Sequence, residues 1–378
     1  MVPRGNPVNK PVLIVVGQTP PPYNGQAKMI QQLLDGIHED IDVIHIRMAY
    51  SDSIVAAGKF GWGKIAHLIS LIRQTRAALT KHPHAVLYYP PASPNWLPVL
   101  RDIVFLTFVR RKETRTLFHF HSGGLGDWLS HHPVVRWVGR KAFLRPDLAI
   151  ELGASCPRDG LSLNAKQTVI VPNGVDIPVL HKEFDETASS NLKILYVGIH
   201  TESKGLFDLL ETARELKLKD VQFELHTVGL WYDKGEEQAF AEKRSAYALS
   251  SEVRCLGELT GEQLWEQYAW ADVFFFPTHY PWETCGIVQF EAMAYGLPII
   301  ATDWPGPRDV VVQGETGLLV PPQNVQAMAV AIKRLALDPG ERIRMGKQGL
   351  ARYHAEYTAT KFRRRMRTAL GKLAERTI

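Results

Sequence analysis

The chain is 378 residues long, 45% hydrophobic and 22% charged, with a formal net charge of +5. That length predicts two domains, and that composition excludes a disordered, collagen-like or membrane-spanning chain. Three cysteines, Cys156, Cys255 and Cys285, form no CxxC pair, which argues against a disulfide framework and favours a reducing compartment.

The first apolar run, Val12 to Val16, is too short for a secretory signal and leads into a Pro-rich loop, as a first strand would. The loop Gly17-Gln18-Thr19-Pro20-Pro21-Pro22-Tyr23-Asn24-Gly25-Gln26 opens a helix expected over Ala27 to Ile37, with Met29, Ile30, Leu33 and Leu34 on one face. A strand, a glycine loop and a helix in that order suit a phosphate or sugar, although most such loops are only turns. Asp40-Ile41-Asp42 has the spacing of a divalent-ion pair. It is read as structural, because hard cations want more oxygen ligands than this turn supplies.

Further helices are expected over Lys64 to Leu79 and Leu97 to Val109, with a strand at Val86 to Tyr89 between them. The broad apolar face of the second helix is read as core. The longest lipid-compatible run, Ile103 to Val109, falls far short of the roughly 18 residues of a spanning helix. Arg101 to Arg145 carries nine Lys/Arg against three acids. Such a patch suits nucleic acid, an anionic membrane or a lipid diphosphate, but the aromatic interleaving of nucleic-acid modules is missing.

Thr116-Leu117-Phe118-His119-Phe120-His121-Ser122-Gly123-Gly124 reads as a strand ending in two histidines and then glycines. We expect one histidine to face the sheet side and the other, His121, the open end, where sites form in such sheets. Val169 to Asp176 closes the first domain, and His181 to Asn191 is polar and unpatterned, as a linker is.

The second domain starts with a strand over Leu192 to Val197. The loop Gly198-Ile199-His200-Thr201-Glu202-Ser203-Lys204-Gly205 follows, then a helix over Leu206 to Leu216. Lys204 stands at the helix entrance, where a point charge would meet a diphosphate, although spacing alone favours a solvated loop lysine; Gly198 lies in the same loop. Strands follow over Phe223 to Val228 and Val253 to Leu256. Trp231 and Tyr232 would flank a base or simply pack.

Val273 to Phe276 is a short apolar run ended by Pro277, the mark of a strand buried on both faces. Glu283 then precedes a helix expected over Gly286 to Tyr295, and Ile299 to Thr302 is the next buried strand. Glu291 lies eight positions on, read as more than two turns deeper than Glu283. Between them the amides of Cys285, Gly286 and Ile287 are first-turn donors fit for a diphosphate, and Gly286 lets a ligand approach closely. A carboxylate, an amide nest and a second carboxylate would match the order sugar, diphosphate, ribose, but two glutamates alone read more simply as a charge at a helix start and a solvated helix residue.

Glu283 to Thr302, followed by Gly314-Glu315-Thr316-Gly317-Leu318-Leu319-Val320, resembles the donor-site signature of family 4 retaining glycosyltransferases. The earlier segments fit that resemblance. His119 to Gly124 is similar to the HxHxGG segment of exopolysaccharide and lipopolysaccharide members, Asn173 to Asp176 to the turn before the linker, and Lys204-Gly205 to a Lys-Gly pair. Two positions depart: Asn24 replaces a first glycine, and Ile199 replaces an arginine, whose charge His200, Arg308 or backbone amides would have to supply.

The resemblance implies an α/β chain of the GT-B fold, two facing Rossmann-like domains with parallel sheets and a cleft between them. The expected division is an acceptor domain over 1–180, a linker over 181–191, a donor domain over 192–355 and a helix over 356–378 that crosses back. It implies a metal-independent, retaining hexosyltransferase without cofactor. The partners would be a nucleoside-diphosphate sugar as donor and a sugar or lipid-linked sugar as acceptor. His121, Glu283 and Lys204 would be catalytic, and Gly25, Gly198, Lys204, Glu283, Cys285, Gly286, Ile287 and Glu291 would bind the donor. The alternatives are an epimerase or phosphorylase on the same fold, or a non-catalytic nucleotide-sugar-binding regulator.

The final helix, Thr360 to Arg376, has Phe362, Met366, Ala369 and Leu373 at helical spacing and seven Lys/Arg against one acid, which we expect to face out. With the first basic stretch, this gives a cytoplasmic protein suited to the inner, anionic face of a cell membrane, and no nucleic-acid partner.

Overall fold

The computed structural model describes residues 10–21, 24–38, 41–49, 62–178 and 191–374. The 181–191 linker falls almost wholly outside them, as do Tyr23, Asp40 and the helix end beyond Ala374. The chain divides into two compact units, Met1–Pro172 with Phe362–Ile378, and Asn173–Lys361.

Unit 1 holds six parallel strands in the order β2-β1-β3-β4-β5-β6. They are β1 (Val12–Gly17), β2 (Asp42–Arg47), β3 (Val86–Tyr89), β4 (Arg115–His119), β5 (Leu148–Glu151) and β6 (Thr168–Ile170). Parallel neighbours need crossovers. These carry α1 (Gly25–Leu34), α2 (Trp62–Lys81), α3 (Trp96–Val109), α4 (Leu125–His131), α5 (Pro133–Val138), α6 (Arg140–Phe143) and α7 (Asp159–Ser162). Central strands β1 and β3 are apolar throughout because both their faces are covered. The Asn24 side chain accepts a hydrogen bond from the Ala27 amide at 2.8 Å, so the residue that departs from the glycine pattern is the N-cap of α1.

One expectation fails in α3. Val99, Ile103, Phe105, Leu106 and Val109 are buried as core, but Trp96, Leu97, Leu100, Val104 and Phe108 are exposed. The helix is apolar on both sides, and only one side meets the sheet.

Unit 2 has its own six parallel strands, in the order β12-β11-β10-β7-β8-β9. These are β7 (Leu192–Val197), β8 (Phe223–Val228), β9 (Val253–Cys255), β10 (Val273–Phe276), β11 (Ile299–Thr302) and β12 (Gly317–Val320). Around them run α8 (Leu206–Leu218), α9 (Lys234–Ala246), α10 (Glu262–Trp270), α11 (Ile287–Ala294), α12 (Pro307–Val310), α13 (Val325–Leu337) and α14 (Pro339–Arg352), while α15 (Ala359–Ala374) only begins in this unit. Ile194, Tyr196, Phe275 and Ile300 from the sheet pack with Leu209, Leu210 and Ile332 from α8 and α13. Each such side chain, fully buried, contributes about 1.5–3 kcal/mol. The strand order reverses between β7 and β10. In open parallel sheets that switch point leaves a crevice at the carboxyl ends, where ligands sit.

From Phe362 onward, α15 belongs to unit 1. Phe362, Met366, Ala369 and Leu373 are buried, as their spacing predicts. Its basic residues do not all face out. Arg363 donates to the carbonyl and side chain of Gln32, at 3.3 and 2.9 Å, and Arg367 donates to the Gly36 carbonyl at 2.8 Å. These carbonyls end α1 or lie just beyond it, where a helix leaves acceptors unpaired and favours cations.

Candidate functional site

The loops after β7 and β10 carry Lys204 and Glu283. A single helical turn, Glu202–Lys204, ends at Gly205, whose φ of +82° is a left-handed conformation. A Cβ there would also strike the Pro277 carbonyl, so glycine is required on both counts. That packing brings the two loops together, and the His279 amide donates to the Ser203 carbonyl at 2.9 Å. Lys204 Nζ then lies 2.6 Å from Glu283 Oε2 and 4.7 Å from the centre of the Tyr280 ring. Thr278 Oγ1 donates to the same carboxylate oxygen at 2.8 Å. Both partners are largely shielded, with side chains 18% and 8% exposed. A desolvated ion pair persists when its partners satisfy each other, as here.

Helix α11 starts at Ile287, because Gly286 is extended (ψ 127°) and serves as its N-cap. Glu291 therefore stands about one turn inside the helix, not two turns beyond Glu283 along it. It is buried, and Tyr268 Oη donates to its Oε2 at 2.8 Å. Gly286 has an ordinary φ of −60°, and a Cβ there would meet nothing nearer than 3.6 Å. Neither backbone nor packing demands glycine, and its small size leaves room at the first turn, beside the Ile287 amide. No side chain caps that turn. Cys285 is buried, with its thiol 4.0 Å from the Gly306 carbonyl oxygen. Gly198 has a packing reason, since a Cβ would crowd the Tyr196 hydroxyl, which donates to the Ile199 carbonyl at 2.9 Å.

The two side chains expected to replace the cation missing at Ile199 differ in charge and surroundings. His200 is buried, and burial lowers its pKa to about 4, so it is neutral at pH 7. Arg308 is half exposed and already bonded to Asp303 Oδ1 at 2.6 Å. Trp231 packs between His200 and Phe240, with ring centres 4.9 and 5.2 Å away, while Tyr232 is exposed.

In unit 1, His119 and His121 do not face opposite ways. Residues two apart in extended chain share a side, and both rings converge on the Tyr88 hydroxyl. His119 Nδ1 lies 2.8 Å and His121 Nε2 3.4 Å from it, with the ring centres 4.0 Å apart. Burial drives the His119 pKa well below its usual value and lowers that of His121 to about 3, so both rings are neutral. The glycines that follow are held by Asp159, which accepts from the Gly124 amide at 2.8 Å and the Gly126 amide at 2.6 Å. Its burial raises its pKa to about 7. Gly25 is exposed at the start of α1. Asp42 is exposed at the start of β2.

Sequence reading missed Thr278, Tyr268, Tyr88 and Asp159. Tyr88 carried one usable signal, since a tyrosine in an apolar run must find a partner for its hydroxyl.

Residues 181–352 match the family model described as glycosyl transferases group 1. Glycogen synthase of Mycobacterium tuberculosis is 24% identical over 243 residues, 63% of this chain and 56% of that protein. The chain thus spans about half the length of the curated relatives it matches. Sucrose-phosphate synthase from Thermosynechococcus elongatus superposes with a TM-score of 0.74 at 22% identity, over 97% of this chain and 99% of that one. Anabaena HepE, crystallised with UDP and glucose, gives 0.71 at 15% identity, over 95% of this chain and 99% of that one. The chain has the GT-B fold, with two parallel six-stranded sheets. The matches support a glycosyltransferase family of that fold. No described helix is long and apolar enough to cross a membrane.

Proposed function

We propose that this protein is a retaining, metal-independent glycosyltransferase that moves a sugar from a nucleoside-diphosphate donor to an acceptor hydroxyl, in the synthesis of a bacterial surface polysaccharide or glycolipid. The observation that carries the reading is the Lys204–Glu283 pair at the switch point between β7 and β10, next to a helix start that Gly286 leaves open. The match to group 1 glycosyl transferases, the polysaccharide-making relative and the UDP held by a protein of the same fold support it.

In this reading the Lys204 ammonium donates one of its three N–H groups in a hydrogen bond to Glu283. The other two, with the Gly286 and Ile287 amides, meet the diphosphate as it leaves. Donors fixed in advance where charge develops lower the barrier without reorganising. Glu283 orients the sugar, and Glu291, steadied by Tyr268, takes the ribose hydroxyls. The neutral ring of His121 fits a hydrogen bond to a sugar hydroxyl rather than proton transfer.

The test is a panel of nucleoside-diphosphate sugars analysed by mass spectrometry, with and without acceptor sugars. Nucleoside diphosphate plus a glycosylated acceptor of retained anomeric configuration is the expected result. An isomerised donor would mean an epimerase, release dependent on phosphate a phosphorylase, and binding without turnover a regulator.

A further inference from the structure

We propose that the face of unit 1 formed by α2, α3 and α5 is a membrane-binding surface, seated on a bilayer rich in anionic lipid. The proposal does not depend on the transferase reading.

Trp96, Leu97 and Phe108 on α3 are 54%, 62% and 56% exposed, and Val134 and Trp137 on α5 are 73% and 66% exposed. On α3 the exposed apolar residues recur every fourth position from Trp96 to Phe108, a stripe about 18 Å long. The three helices make one surface. The Trp96 ring stands edge-on to Trp128 at 5.1 Å and His132 at 4.8 Å, which joins α3 to the start of α5. Phe108 lines a hollow with Ile69, Arg73 and Arg76 of α2. A contiguous apolar surface of this kind on a folded chain marks an interaction site.

Its charge selects the partner. The segments Trp62–Lys81, Trp96–Val109 and Pro133–Phe143 hold eight Lys/Arg and one acid, Asp102, which is buried and paired with Arg101. Arg73, Arg76, Arg140 and Lys141 are exposed, and the Arg140 guanidinium lies 4.5 Å over the Trp137 ring. Tryptophan at the interface, apolar side chains beneath it and bases among the headgroups is the pattern of a helix lying in a membrane surface. Two-fold pairing of identical faces would bring like charges together, which disfavours a second copy.

This surface corrects the charge map read from sequence. Within Arg101 to Arg145, Arg101 pairs with Asp102, and Arg110 is turned into the carbonyls of Ala142 and Leu144. The bases that matter are on α2 and α6.

The test is flotation of the full chain with phosphatidylcholine vesicles, with and without phosphatidylglycerol, at low and high salt. Binding should require phosphatidylglycerol and weaken as salt rises. Tryptophan emission should shift to the blue and be quenched by brominated acyl chains. The paired change Arg73→Gln with Arg76→Gln should lower partitioning by about tenfold or more, since each base near such a surface is worth several-fold. Leu97→Ser with Trp137→Ser, both well exposed, should lower it by a similar factor while leaving the melting temperature unchanged. Equal binding to neutral and anionic vesicles, no binding at all, or binding indifferent to both paired changes would overturn the proposal. A dimer dissolved by the Leu97 and Trp137 changes, without vesicle binding, would overturn it in favour of an interface between copies.

Discussion

The two units present polar groups at the carboxyl ends of parallel strands, but of different kinds. In unit 2, Glu283 has an ammonium and a hydroxyl within 2.8 Å. In unit 1, His119 and His121 share a tyrosine hydroxyl, and burial leaves both uncharged. The difference is one of partners. A buried charge persists when a counter-charge is built beside it, and a buried titratable group without one goes neutral. On the proposed function, unit 2 would therefore handle a charged ligand, and unit 1 would hydrogen-bond an uncharged one.

Breaking the ion pair should give the largest effect. Lys204→Ala removes the one side-chain cation of the proposed diphosphate site and strands Glu283. Turnover should fall on the order of 10²-fold or more. Stability should fall by up to about 3 kcal/mol, the cost of orphaning a shielded charge. Kinetics at saturating donor and urea denaturation read the two separately. Adding Glu283→Gln to Lys204→Met should restore most of the stability and none of the activity. A turnover loss under about fivefold would put the diphosphate elsewhere.

The two glutamates sharpen the comparison within unit 2. Glu283→Gln should lower kcat, because in the proposed reading its carboxylate meets the reacting sugar. Glu291→Gln should raise the donor KM by about tenfold with kcat nearly kept, because ribose contacts hardly change along the reaction. Tyr268→Phe should follow Glu291→Gln more weakly, since it removes only the hydroxyl that steadies the carboxylate. Equal effects of both glutamate changes on KM alone would refute the division.

Much of unit 2 was legible, and for a physical reason. Strands covered on both faces, such as Val273–Phe276, are unbroken apolar runs, and glycine loops and helix starts follow them in sequence. Strand β5 escaped notice because only Leu148, Ala149 and Ile150 lie between Asp147 and Glu151, too few to show a period. Tyr88, Tyr268 and Asp159 escaped because their partners are brought by tertiary folding. The exposed stripe of α3 reads as core in the sequence because an apolar residue does not state which face of its helix meets the sheet.

Unit 1 should show its neutral histidines in the pH dependence of stability. The His121 pKa is about 3 in the folded chain, against 6.5 for a histidine free in water. Between those values the unfolded chain binds a proton that the folded one does not. Stability is therefore complete above about 6.5 and falls as pH drops, by up to about 1.4 kcal/mol per pH unit for that residue. His119 acts in the same direction. Asp159 acts oppositely, since its pKa rises from 3.8 to about 7 on folding, so its contribution is lost as pH rises through that window. Melting measured from pH 4 to pH 7 should show a shallower acid slope in His121→Gln and a steeper one in Asp159→Asn. Parallel curves for all three proteins would show that these groups titrate alike in both states.

The smallest expected effect is that of a chelator, and here a null result carries the information. A diphosphate leaves with negative charge that must be met by a divalent ion, by protein cations, or by backbone amides. The proposed site offers Lys204, held 2.6 Å from Glu283, and the first-turn amides of α11 beside a glycine that packing does not require. Fixed donors of this kind do in advance what an ion would do on binding, so turnover should be unchanged in excess chelator. The Lys204→Ala protein makes the test two-sided. If the lysine fills the place of a metal, adding magnesium or manganese to that variant should recover part of the lost turnover, while the parent stays indifferent. Loss of activity in chelator, restored by either ion in the parent protein, would show that the charge is met by a metal and that the Lys204–Glu283 pair serves another purpose.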